Sequence, residues 1–154
     1  MPFILPALEQ GFLDIIKNPP KSAKASAQRI AKAYADYARP ATGAGAPAAF
    51  TGAEISAMAN AMAGSFQEKG APPLASNGIV SGVQAFWLAP PVVFGPSPTV
   101  LWAGAPVLLG CLASLANPKI SENAAAKRLA RCFDTATKLV FVQPPGPVPP
   151  VPIA

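Results

Sequence analysis

Twenty of the 154 residues are proline, and their positions limit how far any helix or strand can run. Proline fixes φ and lacks an amide proton, so it opens or ends helices and is excluded from central strands. Pro6 is therefore read as opening a first helix over about 6–17, which Asn18-Pro19-Pro20 stops. Leu8, Phe12, Ile15 and Ile16 share its apolar stripe. A second helix ends at Pro40 and carries Ala23, Ala27, Ile30, Tyr34 and Tyr37 on one face. Residues 40–50, PATGAGAPAAF, have the composition of a flexible linker or surface loop.

Thr51-Gly52-Ala53-Glu54 fits a capping box, in which the Thr hydroxyl and Glu carboxylate satisfy each other's orphan amides. The third helix it opens presents Ile55, Met58, Ala59, Met62 and Phe66, and is expected to end near Glu68, before Gly70 and Pro72-Pro73. Residues 79–88 read as a buried helix with Ile79, Val83, Phe86 and Trp87 inward, and the proline-broken stretch after it as an irregular extended crossing. Residues 100–116 read as an apolar helix that Pro106 either starts or kinks. After Pro118, Ser121 is the expected N-cap of a last helix over about 122–137, with Ala125, Leu129, Cys132, Phe133 and Ala136 inward. Residues 138–143, KLVFVQ, are either a strand or an extended arm. The expected fold is mainly α: a compact bundle of five to six helices with long proline-rich connections, one helical domain over 1–143, and a proline-rich arm over 144–154.

Charge narrows the function classes. Charged residues make up 12% of the chain, about half the usual share, and residues 70–118 contain none. Low charge with many small residues suits a subunit whose surface is covered by neighbours. The net charge of +5 comes from basic residues that are dispersed, with no interleaved aromatics, which argues against specific nucleic-acid binding. The uncharged region over 79–116 raises a membrane-associated reading, but Pro106 in its most apolar part, flanking prolines and no basic cluster argue against a span. The N-terminus lacks a basic region ahead of an apolar run and does not read as a signal peptide.

Site chemistry is sparse. The chain has no histidine, the commonest general base and metal ligand. Glu54 caps a helix and Glu122 suits a first turn, while Glu9, Asp14, Asp36, Glu68 and Asp134 fall on predicted outward faces. No carboxylate pair, activated nucleophile or metal-ligand spacing appears. Gly43-Ala44-Gly45 lacks the Gly-Lys-Ser/Thr ending of a phosphate loop, and Gly78 and Gly82 lack a dinucleotide-site context. Met58 and Met62 read as core rather than as the lining of a ligand groove, and Trp87 and Trp102 as core, with interface anchors as the alternative. Cys111 and Cys132 are too few and too far apart to suggest a disulfide framework or a metal site, and read as free, buried, small hydrophobes. The expectation is no enzyme, no cofactor and no small-molecule substrate.

The proline tail is the remaining candidate. In polyproline II, at about 3.1 Å per residue, its eleven residues reach on the order of 34 Å. Such a stiff arm docks with little entropy loss, on its own body or on another chain. Val140, Phe141, Val142, Pro144, Pro145, Pro147, Pro149, Pro150, Pro152 and Ile153 are its expected contact residues, and Met1–Leu5 is read as a second docking segment. Three overlapping PxxP spacings, the first being Pro144–Pro147, allow an adaptor reading, in which the tail serves a polyproline-binding domain.

Several segments in order carry a resemblance: FILPALEQGFLDII with its following prolines, AQRIAKAYADYA, FTGAEISAMANAMAGSF, AFWLAPPVVF, and AAAKRLARCFDTATKLVFV running into the tail. Together they resemble small, alanine-rich virion structural proteins of tailed phages, particularly contractile-tailed ones. The resemblance implies a non-enzymatic part of a particle (tail, baseplate, neck or capsid), assembled in the host cytoplasm. Its implied partners are other virion structural proteins and copies of itself, with residues 138–154 clamping a neighbour.

Overall fold

A computed structural model describes residues 3–67, 72–97, 99–115 and 120–154. It is mainly α, with six helices among the described residues: α1 Leu5–Lys17, α2 Ala23–Ala38, α3 Ala53–Gln67, α4 Pro72–Leu88, α5 Ala105–Ala113 and α6 Glu122–Thr137. Helix α1 packs on α2 and α6, α3 on α2 and α4, and α5 on α4 and α6. Serine caps open two of the helices: Ser121, as expected from sequence, and Ser22, which the sequence reading did not single out. The Ser22 hydroxyl accepts from the Ala25 amide, and the Ser121 hydroxyl from the Ala124 amide. Small residues set the close α3–α4 contact: a Cβ at Gly78 would lie 2.5 Å from Ser65 Cβ, and one at Gly82 2.6 Å from Met62 Cγ.

Five readings of the chain are corrected. Residues 40–50 are not a linker but a hairpin, β1 (Thr42–Gly43) with β2 (Ala46–Ala49), to which β3 (Val93–Phe94) adds on the other side. Ala44 and Gly45, at φ 50° and 79°, turn the chain between β1 and β2, the backbone signature of a two-residue I′ turn. Residues 100–116 do not form one helix: Thr99–Trp102 is β4, and α5 begins only at Ala105, with Pro106 in its first turn. Helix α4 starts at Pro72 rather than 79, so the Pro72-Pro73 pair opens a helix. The expected end of α3 at Glu68 lies outside the described residues, as do Gly70, Pro118, Met1 and Pro2.

The fourth correction concerns cysteine. Cys111 on α5 and Cys132 on α6 form a disulfide, their Cα atoms 5.6 Å apart. Packing of α5 on α6 closes a sequence separation of 21 residues, a cross-link worth about 3 kcal/mol if it acts by restricting the unfolded chain.

The core centres on aromatic and small side chains, with Phe12, Tyr34, Tyr37, Phe86, Trp87 and Phe133 all buried. Through it runs a directed hydrogen-bond chain. The Thr137 hydroxyl donates to the Phe133 carbonyl at 2.7 Å, so the Tyr34 hydroxyl donates to Thr137 Oγ1 (2.6 Å). The Tyr34 oxygen in turn accepts from the Trp87 indole N–H at 2.8 Å. Every member is satisfied, which fixes α2, α4 and α6 relative to one another. Alongside, the Tyr37 hydroxyl donates to Asp134 Oδ1 at 2.7 Å, and Lys138 pairs with Asp134 Oδ2 at 2.7 Å. Asp134 is thus buried, not on an outward face. Burial raises the pKa of both tyrosines well above the ordinary range; the hydrogen bonds with Thr137 and Trp87 only partly oppose this at Tyr34, and nearby Tyr34 and Asp134 reinforce it at Tyr37.

Candidate functional site

The proline tail does not extend away from the domain. Strand β5 (Val140–Gln143) pairs antiparallel with β4 on one side and with β6 (Val151–Pro152) on the other, so the tail leaves the sheet and returns to it. Proline placement makes this possible. The Ile153 amide donates to the Val140 carbonyl at 3.0 Å, which puts Val151 and Ile153 at the hydrogen-bonded positions of the pair and Pro152 at the position that needs no amide toward β5. Ala154 then exchanges two backbone hydrogen bonds with Thr42, at 2.8 and 2.9 Å, tying the end of the tail to β1 and the two sheets together. Gly43 beside this joint has no room for a side chain, since a Cβ there would lie 2.6 Å from Val142 Cγ2.

The expected arm residues divide into two groups. Val140, Val142 and Ile153 are buried and hold the tail down; Phe141 and Pro144 are half-buried. Pro145, Pro147, Pro149, Pro150 and Pro152 are exposed. The loop they form is fastened by the Gln143 side-chain amide, which donates to the Val148 carbonyl at 2.6 Å and to the Pro144 carbonyl at 3.2 Å. A free strap spanning some 34 Å is therefore replaced by a folded loop on its own body. At the other end of the chain Phe3 stacks on Tyr37, ring centres 5.0 Å apart, so this part of the N-terminal segment also docks on its own domain.

Beside the loop lies an uncharged groove of about 520 Å³, lined by Leu88, Val100, Leu101, Trp102, Phe141 and Pro150 among others. Leu101 is 49% exposed and Val148 46%. Helix α5 adds Val107 and Leu109 to the exposed apolar side chains, and β3 adds Val93. None of these five was singled out in the sequence. The signal that could have found Val93, Leu101, Val107 and Leu109 is the charge-free stretch over 70–118 itself, whereas Val148 lies outside it, in the tail.

Among the described residues the acidic groups offer no acid–base pair. Glu54 is buried at the start of α3, where its carboxylate accepts from the Thr51 amide (2.9 Å), the Gly52 amide (2.8 Å) and the Thr51 hydroxyl (3.1 Å). Burial alone would raise its pKa, but these donors outweigh it and hold the carboxyl below its ordinary value. Asp134 is engaged by Tyr37 and Lys138. Among the described residues no three His, Cys, Asp or Glu side chains stand together as a metal-holding group, and no helix is long and apolar enough to cross a membrane. What the geometry presents is a surface: an ordered proline loop bordering exposed apolar side chains without charge. In comparison with known proteins, no family model, no curated protein and no solved structure matches the chain.

Proposed function

We propose that the chain is a non-enzymatic structural protein of a virus particle, a component of the tail, baseplate, neck or capsid of a tailed phage. In this reading it binds other virion structural proteins and copies of itself through its uncharged surface and the proline loop over 144–150. The observation that carries the reading is the set Leu101, Val107, Leu109 and Val148, large apolar side chains left exposed on a chain with a net charge of +5. Contiguous exposed apolar surface marks contact with another macromolecule, and in this reading the uncharged groove beside Leu101 and Pro150 supplies its centre.

The test is sedimentation of the purified chain over a wide concentration range, with Leu101→Glu/Val107→Glu as the comparison. Both positions are exposed, so the variant is expected to keep its stability within about 0.5 kcal/mol per site while losing concentration-dependent self-association. A parent chain that stays monomeric throughout, or a variant that associates equally well, contradicts the reading. The fastened loop favours one second reading, an adaptor that displays its PxxP spacings to an aromatic-lined module. That reading expects such a module to bind the folded chain, and to bind Leu101→Glu/Val107→Glu equally well.

A further inference from the structure

We infer that the Cys111–Cys132 disulfide is a redox-sensitive latch that holds α5 on the rest of the domain. Helix α5 has nine residues, too few to be stable alone in water. Its N-cap, Gly104, offers no side-chain hydrogen bond, and only Leu108 and Leu112 of the helix are buried. The other large side chains, Val107 and Leu109, point away from the core. Two apolar side chains and one covalent bond therefore carry most of what keeps the helix in place. Helices α2 and α6 are anchored differently. Helix α2 buries five residues and α6 seven, and both join the Tyr34–Thr137 and Tyr37–Asp134 hydrogen bonds. Opening the disulfide removes the strongest tie of the weakest helix and leaves the others intact.

The two sulfurs differ in access. Cys132 is fully buried and Cys111 is half-buried, so an incoming thiolate reaches Cys111. Its sulfur forms a new bond to Cys111 Sγ as the Cys111–Cys132 bond breaks, and the electron pair leaves on Cys132 Sγ, which takes up a proton. A second thiolate then attacks the low-molecular sulfur of that mixed disulfide and frees Cys111, which is protonated in turn. The protein gains two electrons and two protons, and two molecules of a glutathione-type thiol become one disulfide. A reducing cytosol opens the latch and an oxidising medium closes it.

Hydrogen exchange of the full chain, with and without dithiothreitol, tests it. On reduction, amides in 107–113 are expected to exchange about tenfold faster or more, while those of α2 and α6 change by less than about twofold. Unchanged exchange in α5 overturns the latch, and so does equal acceleration in α2 and α6, which would make the bond a global cross-link. A second measurement compares Cys132→Ala with Cys111→Ala under glutathione disulfide. Cys111 is expected to form its adduct about ten times faster than Cys132 or more; equal rates, or a faster Cys132, overturn the assigned direction of attack.

Discussion

Ala44 sits at φ 50° in the turn between β1 and β2, a conformation that raises the energy of an L-residue with a Cβ by about 1–2 kcal/mol. Asparagine tolerates it better, so Ala44→Asn is expected to stabilise the protein by about 0.5–1 kcal/mol, read as a higher urea midpoint with an unchanged slope. Tyr34 is the opposite case, a residue with every hydrogen bond in use. Tyr34→Phe removes the acceptor for the Trp87 N–H and the donor to Thr137. A buried indole N–H without a partner destabilises by about 1–3 kcal/mol, and the same denaturation experiment measures it. The tyrosines were legible as core residues from helical spacing. Their hydroxyl partners were not, because Trp87 and Thr137 lie 53 and 103 residues from Tyr34.

Helices were read more accurately than strands, for a physical reason. The α2 and α6 stripes repeat over four turns, with Pro40 marking the end of α2 and the Ser121 cap the start of α6, so the signal accumulates. Strands β1, β3 and β6 have two residues each, too short for alternation to register, and β1 and β2 are built from Ala, Gly, Pro and Thr rather than from β-branched or aromatic residues. The Cys111–Cys132 pairing was hidden in the same way, since only the packing of α5 on α6 brings the two residues together. The start of α3 shows the local rule working, with a variation. Glu54 reaches back to the Thr51 amide as a capping box requires, while the Thr51 hydroxyl accepts from Ala53 rather than from Glu54. Because the folded pKa of Glu54 lies below its ordinary 4.5, its contribution is fully present above that value and is lost as pH falls through the lower folded one. Glu54→Gln is therefore expected to lower stability by about 1 kcal/mol at pH 7, with the gap narrowing in melts taken below pH 4.5.

At the scale of the whole molecule, the tail closes the fold. Ile153 is buried, and Ala154 joins the sheet of β4, β5 and β6 to that of β1, β2 and β3. Ile153→Ala is expected to destabilise the domain by about 2–5 kcal/mol, and removal of 144–154 to do at least as much, both measured by thermal unfolding. The tail was legible in sequence as the feature most worth explaining, and its prolines were rightly taken to exclude a helix. Its path was not legible, because a stiff segment reads the same whether it runs outward or turns back at Gly146, where φ is 89°. The most direct test is amide exchange of Val151, Ile153 and Ala154 in a dilute, monomeric sample, followed by NMR. A tail paired with its own β5 and β1 predicts protected Ile153 and Ala154 amides whose protection does not change with protein concentration. Amides that exchange freely in the monomer and become protected only as chains associate would contradict it, and would return the tail to the role of a strap between subunits.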